Sequence, residues 1–154
     1  MRAKRIMQMV IVLAAIATLS SCSSGSDADS TGIDGTWSGT IAATLSGTSM
    51  TMTFTTVLSQ DGSTGVDGSL TAAAMDGDAF PGTLPVSVTG TISGSTMALP
   101  IVMSFTESGT TYEYDVTLSG TVSGSTYSGT ATVEYLEDSV SQWSVSGTFT
   151  ATKS

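Results

Sequence analysis

From Gly35 to the end of the chain, apolar residues alternate with serine and threonine, and this two-residue period limits the possible folds more than any other feature. Met50, Met52 and Phe54, for example, are separated by single threonines. Successive side chains of a β-strand point to opposite faces, so the pattern is typical of strands with one buried face. No helical period is found in this region. We therefore predict an all-β domain over residues 35–154.

Eight alternating runs can be distinguished, and short links join nearly all of them. The first and last apolar-face residues of the runs are Trp37 and Leu45, Met50 and Leu58, Val66 and Ala72, Leu84 and Ile92, Met97 and Phe105, Tyr112 and Val122, Tyr127 and Tyr135, and Trp143 and Ala151. Three links contain Ser-Gly, at 46–47, 93–94 and 123–124. We predict two-residue hairpin turns there, which place Ile92 opposite Ser95 and Val122 opposite Ser125. Only the link 73–83 is long.

Eight antiparallel strands with short links predict an up-and-down meander. An even number of strands allows the last to pair with the first, which leaves no free edge. We therefore predict a closed barrel with its apolar face inward, and a two-sheet β-sandwich is the alternative. A membrane barrel with the apolar face outward is a further alternative, disfavoured by the serine and threonine on the opposite face. We call the end where the first strand begins the lower end, and the opposite end the upper end.

The first 22 residues carry a targeting pattern. A basic segment precedes an apolar run that is too short to span a bilayer, and Leu19-Ser20-Ser21-Cys22 follows. This stretch resembles the lipobox of bacterial lipoproteins. The resemblance implies a signal peptide over 1–21, acylation of Cys22 (palmitate being a typical chain) and anchoring in the cell envelope. Ser23 is not the Asp that retains such proteins at the inner membrane, so we expect the outer membrane.

The residues after Cys22 are strongly acidic. All thirteen acidic residues lie after Cys22, whereas only one basic residue, Lys153, does. A mature chain that begins at Cys22 therefore has a net charge of −12. Such a surface cannot neutralise a phosphate backbone, so nucleic-acid binding is excluded. Residues 22–34 are small, polar and acidic, and we predict that they form a flexible tether between the lipid and the domain.

Gly35-Thr36-Trp37, at the start of the first strand, resembles the Gly-x-Trp motif of lipocalin and calycin barrels. The resemblance implies that Trp37 closes the base of the barrel and that the opposite mouth admits a small hydrophobic ligand. In that family a basic residue near the end of the last strand packs over the tryptophan. Lys153 is the available substitute, although it lies beyond the last inward-facing residue.

The upper end gathers methionine and aromatic residues that suit an apolar ligand. The candidate ligand-binding residues are Met50, Phe105, Tyr112, Tyr114, Tyr135 and Trp143. We therefore expect binding or carriage of a small hydrophobic molecule. An eight-stranded barrel is just wide enough either to be filled or to hold one small ligand, so the alternative is a structural or protein-interaction module with a filled core.

The sequence offers little for catalysis. It contains no histidine, no nucleophile motif and no cofactor motif, so we expect neither enzymatic activity nor a cofactor. Two carboxylate groupings are candidates for Ca²⁺ because this ion prefers oxygen ligands. Glu113 and Glu134 are predicted to face each other on the outer surface, and Asp76 and Asp78 flank a glycine in the long link. Ordinary solvated surface is the alternative at both places.

Overall fold

A computed structural model describes residues 32–154, which form a closed antiparallel β-barrel. The strands are β1 (Gly35–Leu45), β2 (Thr48–Asp61), β3 (Gly65–Met75), β4 (Asp78–Ala79), β5 (Val86–Ser93), β6 (Thr96–Glu107), β7 (Thr110–Ser123), β8 (Thr126–Glu137) and β9 (Val140–Lys153). Eight of them form the ring, and the short β4 pairs with the upper end of β3. No helix in this part of the chain is long and apolar enough to cross a membrane. The predicted eight-stranded up-and-down barrel is confirmed, with β4 as an addition.

The ring closes between the first and the last strand. β1 pairs with β9 over seven residue pairs, from Trp37 opposite Lys153 to Ala43 opposite Gly147. β2 pairs with β3, and each remaining strand pairs with its neighbour in the ring. The alternative of a two-sheet sandwich is therefore wrong, because the eight strands form one continuous sheet.

The apolar face points inward along every strand of the ring, and most serine and threonine side chains between the apolar residues are exposed. Ile41, Leu99, Leu118 and Val133 are almost completely buried. At about 25 cal/mol per Å² of apolar surface, this burial supplies the main favourable free energy of folding. The arrangement with the apolar face outward is therefore also wrong.

Two β-bulges change which residues face inward near the upper end. In β3, Leu70 is opposite Thr56 and Ala72 is opposite Thr55, so Thr71 is the extra residue. An extra residue shifts the alternation by one. Ala73 and Met75 consequently pack against the core, whereas Ala72 is exposed, which corrects the prediction that Ala72 faces inward. The second bulge is at Gln142 in β9, above Trp143.

The Ser-Gly turns are of two kinds. At 45–48 the loop residues are Ser46 and Gly47, both with positive φ, as predicted and as a type I′ turn requires. At the other two sites the loops are 94–95 and 124–125, and only the glycine has positive φ, which fits a type II′ turn. Ile92 is therefore opposite Met97, and Val122 is opposite Tyr127. The predicted pairing was two residues out of register at these two hairpins.

The lower end is closed by Trp37 and by the residues just before β1. The indole Nε1 of Trp37 donates a hydrogen bond to the carbonyl of Ile33 at 2.7 Å, and the ring meets Tyr127 edge-on at 6.5 Å. The Nζ of Lys153 lies 5.8 Å from the centre of the Trp37 ring and donates to the carbonyl of Gly32. Lys153 therefore takes the position over the tryptophan that the lipocalin resemblance implies.

The boundary between tether and domain lies earlier than predicted. Ile33, which we assigned to the tether, is completely buried, and the Asp34 carboxylate accepts a hydrogen bond from the backbone N–H of Gln60. The barrel domain therefore includes these residues. The predicted signal peptide, Cys22 and the rest of the predicted tether lie outside the described residues.

Candidate functional site

A cavity of about 290 Å³ opens at the upper end of the barrel. Its walls are mainly apolar and come from β2, β3, β4, β6, β7 and the segment after β4. The lining residues are Met52, Ala73, Ala74, Met75, Asp76, Asp78, Ala79, Phe80, Pro81, Met103 and Tyr114. This volume lies at the lower limit of the range usual for small-molecule pockets. The cavity is therefore large enough for one small ligand.

The cavity exists because large and small side chains are distributed unequally around the mouth. On the side of β6 to β9 the inward positions carry rings, such as Tyr114 and Trp143, whereas β3 places the small Ala73 inward, below Met75. Deeper in the barrel the remaining void measures only about 10 Å³, the smallest space that holds one water molecule. The interior is therefore filled below the mouth, and open space is found at one end.

Six aromatic rings form a continuous cluster beside the cavity, which we call the aromatic wall: Phe80, Phe105, Tyr112, Tyr114, Tyr135 and Trp143. The centres of Tyr114 and Tyr135 are 5.0 Å apart, and those of Tyr135 and Trp143 are 5.4 Å apart. Phe80, from the segment after β4, meets Tyr114 edge-on at 6.4 Å. Such contacts contribute about 0.5–1.5 kcal/mol each beyond area burial, so they stabilise the aromatic wall.

Of the six candidate ligand-binding residues, the structure places one in the cavity lining. This is Tyr114; Phe105, Tyr112, Tyr135 and Trp143 lie in the aromatic wall, and Met50 is buried outside the lining. Sequence reasoning missed Met52 and Met75 as lining residues. Phe80 and Met103 also line the cavity and were not among the candidate residues. The signal for Met75 was hidden by the bulge at Thr71.

The carboxylates proposed for Ca²⁺ are arranged differently from the prediction. Glu134 is opposite Asp115, and Glu113 is opposite Leu136, so the predicted pairing of Glu113 with Glu134 is wrong. Asp76 and Asp78 lie at the rim of the cavity, and the Asp76 carboxylate accepts the backbone N–H of Thr51 at 2.7 Å. Within residues 32–154, no group of three or more acidic, cysteine or histidine side chains is placed to hold a metal ion.

The tyrosines near the cavity remain neutral at physiological pH. Burial raises the pKa of Tyr114 above its usual value of 10.0. Burial, the 2.9 Å hydrogen bond from the Tyr135 hydroxyl to Glu137, and the charge of that carboxylate raise the pKa of Tyr135 to about 12. The Tyr114 hydroxyl can therefore donate a hydrogen bond to a ligand, whereas the Tyr135 hydroxyl already donates to Glu137, and neither is activated as a base.

The raised pKa of Tyr135 predicts a late step in an alkaline titration. Its phenol stays protonated in the folded state between pH 10 and about 12, whereas the unfolded chain releases that proton, so stability falls as the pH rises through this window. Absorbance at 295 nm should show a component near pH 12 that Tyr135→Phe removes. Glu137→Gln, which keeps an acceptor but removes the charge, should move that component towards pH 10. An unchanged titration in Tyr135→Phe would contradict the assignment.

Comparison with known proteins supports the fold. No protein-family model matches the sequence, and no curated protein matches it. Among solved structures the chain is similar to "Structure of EF1p2_mFAP2b bound to DFHBI", with a TM-score of 0.53 and 14% sequence identity. The match covers 79% of this chain and 94% of the other. At this identity the likeness concerns the fold: both are β-barrels, and the other was solved with a small molecule bound.

Proposed function

We propose that this protein is a membrane-anchored bacterial lipoprotein whose barrel binds or carries a small hydrophobic ligand without catalysing a reaction. The observation that supports the binding function is the cavity of about 290 Å³ with largely apolar walls at the upper end. Burial of apolar ligand surface in such a space is favourable by about 25 cal/mol per Å². The similar barrel, solved with DFHBI bound, adds support at the level of the fold.

The position of the cavity suits an anchored binding protein. The chain reaches the barrel at its lower end, where Ile33 and Lys153 close the base, and the cavity lies at the opposite end. A lipid anchor on Cys22 would join the barrel through residues 23–31 at this base. The mouth then faces away from the attachment point and exchanges ligand with the surrounding solvent.

Probe binding tests the first part of the proposal. The full chain with Cys22→Ser avoids acyl chains that would compete for an apolar probe, and it should enhance the fluorescence of N-phenyl-1-naphthylamine. Ala73→Phe places a ring into the cavity and should weaken binding at least about tenfold, because the probe loses most of its buried area. Ala42→Phe is the matched control, since Ala42 is exposed on the outer face of β1.

The outcomes separate the proposal from its alternative. If the Ala73→Phe variant binds the probe as strongly as the chain that keeps Ala73, the probe binds outside the cavity. No probe binding to any variant would favour a structural or protein-interaction lipoprotein. The filled interior below the mouth is the observation on which that second function rests.

Replacement of Cys22 tests the anchor. Cells labelled with radioactive palmitate should incorporate label into the wild-type protein, and the protein should fractionate with the membrane. Cys22→Ser should abolish both, because serine lacks the thiol that is acylated and the protein then has no lipid anchor. Ser20→Ala serves as the control, since a small residue is kept at that position. Label that persists in Cys22→Ser would contradict the proposed lipidation site.

A further inference from the structure

The negative charge of the barrel is concentrated in the half that contains the cavity. Residues 32–154 contain eleven carboxylate side chains, and only Asp34, Asp61 and Asp67 lie in the lower half. The other eight lie in the upper half: Asp76, Asp78, Glu107, Glu113, Asp115, Glu134, Glu137 and Asp138. Among residues 32–154 the one basic side chain is that of Lys153, which sits over Trp37 at the opposite end. The upper end of the barrel is therefore strongly negative.

Two of these carboxylates belong to the cavity itself. Asp76 and Asp78 line its rim, on the tight turn that joins β3 to β4, and both are exposed. Below them the walls are apolar, with Met52, Met75 and Met103. A ligand that fills this space thus has its body among thioethers and rings and its outer end beside two negative charges.

The rings that border the cavity also favour positive charge. The faces of aromatic rings carry partial negative charge and attract cations by about 0.5–1 kcal/mol at exposed sites. Phe80 and Tyr114 line the cavity beside the rim. The carboxylates at the opening therefore stabilise a cationic group and disfavour an anionic one, and the neighbouring rings are compatible with that charge.

We propose that the natural ligand is an amphiphile with an apolar body and a positively charged nitrogen, such as an alkylammonium or aromatic amine, held with its charge between Asp76 and Asp78. This inference rests on the proposed ligand-binding function and defines the class of ligand. Fatty acids and other apolar anions are disfavoured by like-charge repulsion at the mouth. A divalent metal ion is a poorer occupant, because Ca²⁺ requires six to eight oxygen ligands and this rim offers two carboxylates.

Three probes that differ in head group test the inference: decyltrimethylammonium, decanol and decyl sulfate. Their affinities for the full chain with Cys22→Ser are measured below micelle-forming concentrations, by displacement of N-phenyl-1-naphthylamine. We expect the cation to bind at least about tenfold more tightly than the anion, since attraction and repulsion of exposed charges act in opposite directions. Added salt should reduce this difference, because it screens exposed charges.

Two double variants assign the preference to the rim. Asp76→Asn with Asp78→Asn should weaken binding of the cation about fivefold and leave decanol unchanged. Asn at position 76 keeps the side-chain acceptor for the Thr51 N–H and tolerates the positive φ of 50° at that residue. The control, Asp61→Asn with Asp67→Asn, removes the same net charge at the lower end and should alter none of the three affinities.

Each result decides a separate point. Equal affinities for cation and anion, with decanol bound, would overturn the charge selectivity and leave the proposed binding function in place. An equal loss in both double variants would attribute the preference to net charge rather than to the rim, and would also overturn the inference. If decanol and the two ions all fail to bind, the result contradicts both the inferred charge selectivity and the proposed binding function.

Discussion

Replacing Trp37 with alanine is expected to lower the free energy of unfolding by about 3–5 kcal/mol, the usual cost of truncating a large buried aromatic side chain. Trp37 is 1% exposed and joins three parts of the base. Its ring packs against Tyr127, its Nε1 donates to the carbonyl of Ile33, and Lys153 lies over its face. Small domains are stable by only about 5–15 kcal/mol, so this variant should be close to unfolding at 37 °C.

Urea unfolding followed by far-UV circular dichroism measures the effect. Trp143→Ala is the matched control, because this second tryptophan lies half-buried in the aromatic wall at the upper end. There the side chain already contacts solvent, so a loss of about 1–2 kcal/mol is expected. Equal losses in the two variants would show that the base is no more important to stability than the mouth.

Trp37→Phe separates packing from hydrogen bonding at the base. Phenylalanine keeps an aromatic face for Tyr127 and Lys153, but it leaves the buried carbonyl of Ile33 without its donor at 2.7 Å. An unpaired buried polar group costs about 1–3 kcal/mol. An intermediate stability for this variant would show that the first residues of the domain are held by the indole N–H as well as by the burial of Ile33.

The sequence was sufficient to predict the closure of the ring and the inward faces of the strands, except beyond the bulge in β3. Trp37, Ile41 and Phe149 are inward because a two-residue period leaves one apolar face, and one sheet without a covering layer buries that face by curling on itself. The turn residues and the even number of strands then brought β1 next to β9. These features follow from local chemistry that the sequence displays directly.

The pairing register at two hairpins could not be predicted in this way. A shift of two residues keeps every side chain on its face, so the apolar pattern fits Ile92 opposite Ser95 as well as Ile92 opposite Met97. The choice depends on whether Gly94 takes the first or the second position of the turn. The same ambiguity placed Glu134 opposite Glu113 instead of Asp115.

The cavity was the least predictable feature. It depends on the bulge at Thr71, and Ala72, Ala73 and Ala74 follow with nearly identical side chains, so the sequence carries no sign of which alanine faces inward. It depends also on Phe80, which returns from the segment after β4 to contact Tyr114. Residues beyond regular strands are placed by such long-range contacts, which a periodic pattern does not encode.

Adding one methyl group at Gly129 is expected to cost about 3 kcal/mol, the upper part of the usual range for overpacking. Gly129 on β8 is opposite Gly120 on β7. A Cβ at Gly129 would lie 2.2 Å from the carbonyl oxygen of Ser119 and 2.5 Å from the Cα of Gly120. Both neighbours belong to the backbone, so Gly129→Ala can be accommodated only if the strands move apart.

Tyr127, two residues before Gly129, reaches from β8 across β7 to β6. Its hydroxyl lies 3.1 Å from the carbonyl oxygens of Met97 and Leu118, and its ring meets Phe149 edge-on at 4.6 Å. Met97 on β6 is opposite Gly120 on β7, and Leu118 lies two residues before Gly120 on the same strand. The tyrosine therefore crosses the lower end where the glycines have no side chains, and separation of β7 from β8 would also disturb these hydrogen bonds.

Urea unfolding of Gly129→Ala, compared with Gly124→Ala, tests whether close approach of the strands is the cause. Gly124 is a turn residue with φ of 58° and no atom within 4 Å of an added Cβ, so its substitution should cost only the strain of one left-handed residue, about 1–2 kcal/mol. The double variant Gly120→Ala with Gly129→Ala should cost less than the sum of the single losses, because the first methyl group already forces the facing strands apart. Additive losses, or a Gly129→Ala loss no larger than that of Gly124→Ala, would contradict the view that these two glycines allow the lower end to close and confine open space to the mouth.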